Sequence, residues 1–268
     1  MNDKILENLS KAQASEEISS VVMNISNVVF QDDVSESGTT GKISKINMFT
    51  ELVGNTVDSF GGKLLSITGS GISAMFGDDI DSALQCAVTV CQETESEDCR
   101  NIFGELRIGI DYGTICVGIV GYKNFSMPLV VSEKMDTAVF LSEIAQTYNS
   151  RILITGGAAA ISKDFQSRYN VRRLGLLYSR ANDLCEDFYD IFDGDKTDDK
   201  YNKMRSRLFF ETGVDLFQKN SFLEARSYFI ELLKFDRNDA AARQYVFRCD
   251  RCISNEASDD EKKYLEIR

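Results

Sequence analysis

The sequence predicts an α+β domain on a mostly antiparallel sheet, followed by a short all-helical segment. Two observations carry this. Up to residue 193, short β-rich runs joined by tight turns alternate with segments of helical period. From 203 to 253 the pattern is helical only. Hairpins that alternate with helices favour a two-layer α+β arrangement. A charged stretch at 193–201 separates the two parts, so the boundary is expected near 195–202.

The elements follow in order. Residues 1–18 are polar and helix-friendly and read as an N-terminal helix. The run Ser20-Val21-Val22-Met23-Asn24-Ile25 marks a core strand within 19–30. Residues 31–42 are acidic and rich in Ser, Gly and Thr, which reads as a loop. Ile46, Phe49, Leu52, Val53, Val57 and Phe60 recur at helical spacing over 43–60, and Gly61-Gly62 stops that helix. Residues 63–68 and 72–76 read as a hairpin turned at Gly69-Ser70-Gly71. A helix is predicted over 81–95, then two strands, 106–112 and 115–120, around Gly113. A helix over 132–148, a strand over 151–155, a short helix over 158–165 and strands over 169–178 and 187–192 complete the domain. Residues 254–268 read as a polar tail.

Composition narrows the function classes. The chain has 268 residues and a formal net charge of -12, which disfavours nucleic acid and anionic membrane surfaces as partners. No stretch reaches the roughly 20 apolar residues of a membrane span, and the amino terminus carries no apolar signal core. The expected location is therefore cytoplasmic. Seven cysteines lie without a secreted pattern, so reduced thiols are expected. Cys249 and Cys252 form a lone C-x-x-C within a helical pattern, which reads as structural. The chain contains no histidine. Ser-His-Asp and Cys-His catalysis and H-E-x-x-H zinc chemistry are thus excluded.

Three stretches together resemble the class III adenylate/guanylate cyclase catalytic domain. Gly61-Gly62 and then Gly69-Ser70-Gly71-Ile72-Ser73-Ala74-Met75-Phe76-Gly77 resemble its G-G and G-D-x-x-x-A-x-F-G hairpin. The run from Leu106-Arg107-Ile108-Gly109 through Gly113 and Gly118 to Gly121 resembles its r-i-G-I-x-x-G-x-v-x-x-G-x-x-G segment. Ser150-Arg151-Ile152-Leu153-Ile154-Thr155 resembles a later strand. The resemblance covers about residues 19–193, and 19–195 is taken as the cyclase-like domain. It implies a ferredoxin-like βαββαβ nucleotide cyclase fold that homodimerises. It also implies active sites between protomers, with two metal-binding aspartates from one protomer and an asparagine and an arginine from the other.

Carried over residue by residue, that site is degenerate. The second metal aspartate corresponds to Ser70, whose neutral hydroxyl is a poor substitute for a carboxylate around a hard divalent ion. The first corresponds to Asn24 in the preferred register and to Ser26 in an ungapped one. Asp32 or Asp33 is the acidic option, at the cost of a shorter following helix. The base-selecting positions correspond to Ser66 and Leu129. The transition-state asparagine corresponds to Asp136 and the arginine to Phe140, which removes the charge that should meet the phosphates. Arg180 falls near the family's late phosphate-binding lysine. Both halves of the shared site are altered, so the chain is not expected to complete a standard site as either member of a heterodimer.

At the C-terminal end, Phe209, Gly213, Leu216, Ala225 and Phe229 resemble one tetratricopeptide (TPR) repeat, whose period is about 34 residues. Residues 203–253 are read as this helical hairpin with a capping helix over 240–253. One repeat cannot bury its own face. It is expected to dock on the preceding domain, with binding of a protein partner as the second possibility. The leading expectation is an inactive cyclase homology module for dimerisation, regulation or scaffolding, with no cofactor. The alternatives are a divergent purine nucleotide cyclase using Mg2+ or Mn2+ on displaced ligands such as Asp78-Asp79, and a nucleotide or small-molecule sensor without turnover.

Overall fold

The structure is a computed structural model that describes residues 15–27, 38–68, 71–122, 125–180 and 183–267. Its contacts divide the chain into two compact units, Met1–Ser142 and Glu143–Arg268.

The first unit is organised around β1 (Glu16–Asn27), the centre of a strand order β2-β3-β1-β4. Helix α1 (Gly38–Ser59) leads to the hairpin β2 (Lys63–Thr68) and β3 (Gly71–Met75). Helices α2 (Ile80–Glu93) and α3 (Glu97–Phe103) precede β4 (Leu106–Tyr122), which pairs along all of β1 and then with β5 (Phe125–Val131). All of these pairings are antiparallel. Helix α4 (Glu133–Tyr148) gives its first residues, to Ser142, to this unit.

Alternation along β1 sends Val22, Asn24 and Ser26 to one face. On that face Val22, Met75, Ile115, Val117 and Ala138 form a buried cluster, with Met135 of α4 packed against it. Two glycines allow the close approaches. A Cβ on Gly71 would lie 2.3 Å from the carbonyl oxygen of Ile25, and one on Gly109 would lie 2.0 Å from that of Ala138. The second contact lets α4 rest directly on β4.

The second unit contains the strand order β6-β8-β7-β9, from β6 (Ile152–Thr155), β7 (Val171–Ser179), β8 (Leu184–Ile191) and β9 (Leu265–Ile267). Short helices α5 (Gly156–Ala159) and α6 (Phe165–Arg168) lie between β6 and β7. Three helices follow, α7 (Thr197–Gln218), α8 (Phe222–Phe235) and α9 (Ala240–Ile253). They pack together through Gly213, whose Cβ would lie 2.8 Å from the Phe229 ring, and through Tyr245, stacked on Phe229 at 4.7 Å. The Tyr245 hydroxyl donates to the Leu174 carbonyl of β7 at 2.5 Å, so the helices are joined to strands of their own unit.

Several expectations are corrected. Residues 16–18, expected in a helix, belong to β1, because Ile18 pairs with Ile115 and joins the buried cluster. Residues 1–14 lie outside the described ones. So do 31–37 of the expected loop, and its remainder already belongs to α1. The two strands around Gly113 are one strand, β4, and its hairpin partner is β5. The charged stretch 193–201 is a 3-10 turn, Phe192–Gly194, and the start of α7, whose first turn holds Asp198 and Asp199 where the helix dipole favours acids. The polar tail folds back. Ser258 and Glu261 form a reciprocal capping box, and β9 runs parallel to β7. By their contacts the first compact unit ends at Ser142 and the second begins at Glu143, both within α4.

Candidate functional site

Most of the positions singled out by the sequence fall in the first unit. Ser66, Ser73, Asn24 and Gly109 stand opposite one another across β2, β3, β1 and β4. Directly opposed residues share a face, so Ser66, Ser73 and Asn24 form one polar row on the face that α4 covers. Ser66, at the outer strand, is exposed. Asn24 is only 1% exposed.

The Asn24 amide is satisfied at both ends. Its Nδ2 donates to Ser142 Oγ at 2.8 Å, and its Oδ1 accepts from Ser73 Oγ at 3.1 Å. Ser142 in turn donates to the Val139 carbonyl at 2.7 Å. The chain of donors and acceptors ties β3, β1 and α4 together with neutral groups. Ser26, on the same face and also buried, donates to the Arg107 carbonyl at 3.2 Å. It lies beside Gly71, the first residue of β3, whereas Asn24 lies opposite Ser73, further along β3. Ser26 is thus the nearer of the two to the start of β3. Ser70, Asp32 and Asp33 lie outside the described residues.

Asp136 is exposed in the first turn of α4, and Phe140 follows one turn later, half-buried. Leu129 is exposed on β5, opposite Gly118. Lys134, in the same turn as Asp136, is committed elsewhere: its Nζ lies 3.3 Å from the buried carboxylate of Asp111 on β4. The alternative acidic pair is also engaged. Asp78 accepts from the Tyr112 hydroxyl at 2.9 Å, and Asp79 caps α2 by accepting from the Ser82 amide at 3.0 Å. Among the described residues, no group of three or more Cys, Asp or Glu side chains is placed to hold one metal ion. Arg180 belongs to the second unit, where it pairs with Glu266 of β9.

One constellation in the second unit escaped sequence reasoning. Arg172 of β7 is fully buried between Asp239, at 2.6 Å, and Asp190, at 3.5 Å. Lys203 of α7 reaches Asp190 at 2.8 Å and Asp195 at 2.6 Å. Burial raises the Asp195 carboxyl above its ordinary range, and Lys203 only partly opposes that. Burial acts the same way on Asp239, but the Arg172 guanidinium and the Ala242 amide outweigh it and hold this carboxyl low. The only signal in the sequence was an arginine at an otherwise apolar strand position. Cys249 and Cys252 are buried on α9, and burial pushes the Cys249 thiol up to about 12, in keeping with a structural role.

Comparison with known proteins bears on the fold. No family model matches the chain. A curated relative, "Adenylate cyclase, terminal-differentiation specific" of Dictyostelium discoideum, is 24% identical over 215 residues, covering 77% of this chain. The chain spans only 10% of that relative's length. Among solved structures, a bacterial light-regulated adenylyl cyclase superposes with a TM-score of 0.61 at 12% identity, covering 76% of this chain and 62% of that one. The adenylyl cyclase CyaB from P. aeruginosa gives 0.55 at 14% identity, covering 66% and 95%. The chain therefore has the α+β fold of nucleotide cyclase domains, with additional C-terminal helices.

Proposed function

We propose that this chain, which has the fold of a nucleotide cyclase domain, is a catalytically silent cyclase homology module that acts in dimerisation and scaffolding of a signalling protein. One observation carries the reading. Of the three registers for the first metal aspartate, the two that fall on β1 land on neutral side chains, Asn24 and Ser26, which are buried and hydrogen-bonded to protein groups. Two-metal chemistry needs carboxylates that hold both ions against the nucleotide. An amide held between two serines supplies no charge to such ions. Replacement of the transition-state pair by Asp136 and Phe140, with Lys134 held by Asp111, supports the same reading. In this reading two copies pair through the cyclase-like fold, no cofactor is bound, and the C-terminal helices, TPR-like in their Gly213–Phe229 crossing, serve a protein partner.

The similarity to a named adenylate cyclase favours a second reading, a divergent enzyme converting ATP or GTP to a cyclic nucleotide with Mg2+ or Mn2+ on displaced carboxylates. One assay separates the two. The purified chain is incubated with ATP or GTP and either metal, beside a Ser70→Ala/Asp136→Ala variant and a protein-free blank. The silent module gives cyclic nucleotide at the blank level. Metal-dependent product above both controls overturns it.

A further inference from the structure

Helix α7 carries apolar side chains on two faces. One face, with Phe210, Gly213, Val214 and Phe217, is buried within its own unit. The other faces solvent: Tyr201 is 56% exposed, Met204 50% and Leu208 78%. Their spacing makes a continuous stripe along the helix. An ordinary surface helix has a single apolar face, and contiguous exposed apolar surface of this kind marks an interaction site. Helix α8 extends the patch. Tyr228 packs on Phe209 at 4.6 Å between ring centres, and Phe235 is 52% exposed.

The patch has one charge at its centre. The Arg205 guanidinium lies over the Tyr201 ring at 5.4 Å and the Phe235 ring at 4.7 Å. Among the described residues no carboxylate pairs with it; its neighbours one turn away on α7, Tyr201, Asn202, Leu208 and Phe209, carry no acid. Six other arginines of this unit are in ion pairs: Arg172, Arg173, Arg180, Arg207, Arg226 and Arg251. A guanidinium placed over two rings and outside any ion pair retains N–H donors suited to bidentate contact with a carboxylate.

The geometry points to a docking site for an amphipathic helix of a partner protein. That helix lays apolar side chains one turn apart on Tyr201, Leu208 and Phe235 and presents an Asp or Glu between them to Arg205. Complementary charge selects this occupant. A helix with one acid among apolar residues meets the locally positive spot at Arg205. The inference rests on the scaffolding part of the proposed function and gives the partner's chemistry. It does not involve nucleotide turnover, so its failure leaves the silent-cyclase reading standing.

The test is a selection of displayed helical peptides of random sequence against the intact chain, followed by affinity measurement on synthesised winners. The expected winners carry an acid flanked by apolar residues at helical spacing. Arg205→Glu weakens them at least tenfold, Leu208→Asp does the same, and exchanging the peptide's acid for Lys restores binding to Arg205→Glu. Circular dichroism and melting of both variants match the parent, because these side chains are exposed. Winners without an acid, winners indifferent to both substitutions, or no winners at all overturn the proposal. So does a sedimentation experiment in which Leu208→Asp converts a dimer to a monomer, which assigns the patch to a second copy.

Discussion

Asn24 is gripped at both ends of its amide, and this sets what substitution does there. Asn24→Ala leaves the Ser73 and Ser142 hydroxyls without their partner in a buried row. The loss is expected to be about 1–3 kcal/mol, read as a lowered urea midpoint with unchanged slope. Asn24→Asp restores the family's residue type but removes the donor to Ser142 and buries a carboxylate. Burial raises the folded pKa of that new acid above its unfolded value. Its folded form then binds more protons than the unfolded chain across that interval, so the variant loses further stability as pH rises through it. A variant whose stability is flat from acid to neutral pH contradicts this. The identity of Asn24 and its departure from an aspartate were legible in the sequence. Its partner Ser142 was not, because the hydrogen bond joins residues 118 positions apart and depends on how α4 lands on β1.

At the scale of elements, α4 reaches the sheet only because Gly109 has no side chain. Gly109→Ala would put a methyl 2.7 Å from the Ser142 amide nitrogen and closer still to the Ala138 carbonyl. Backbone does not give way as a flexible side chain does. The expected cost is about 1–3 kcal/mol or more from overpacking, measured as a fall in melting temperature accompanied by loss of the Asn24–Ser142 contact in amide spectra. The glycines of this strand were conspicuous in the sequence, and so was the β2–β3 hairpin, since apolar runs around a Gly-rich turn say both strand and reversal. Strand β5 was missed for a physical reason. Pro128 lies within it, and proline argues against a central strand. It is tolerated here because, among the described strands, β5 pairs only with β4, and the edge needs no donor from residue 128. Helix α3 was missed because its seven residues are too few to show a period, and the Ser96 cap alone marks its start.

Over the whole molecule, the buried charges of the second unit give its stability a pH signature. Asp239 is held below its ordinary value of 3.8, chiefly by Arg172 against the cost of burial. Its contribution is therefore present above that value and is lost as pH falls through the lowered one. Asp195, raised by burial, acts in the opposite sense and gives up stability as pH rises through its own raised value. Asp239→Asn is expected to cost about 3–5 kcal/mol at neutral pH, because Arg172 stays buried with Asp190 as its nearest counter-charge. The variant should also show a shallower decline on acidification, followed by denaturant titration from pH 7 to pH 3. An unchanged acid limb would separate Asp239 from that decline. Beyond an arginine in an apolar strand, this cluster was not legible in the sequence: Arg172, Lys203 and Asp239 come from β7, α7 and the N-cap of α9, and their meeting is a product of the tertiary fold.

The small strand β9 has a consequence out of proportion to its three residues. It lies parallel along β7, with Leu177, Tyr178 and Ser179 opposite Leu265, Glu266 and Ile267. Arg251 holds the approach to it through Glu261. Strand β9 thereby covers the last three residues of the outer rim of β7, which would otherwise present open backbone donors and acceptors as a template for another molecule's strand. A guard against self-templated assembly is the expected consequence of this pairing. Removing 258–268 should leave the helices folded while turbidity on storage rises steeply with protein concentration, and a truncated chain that stays clear would show that β7 needs no cover.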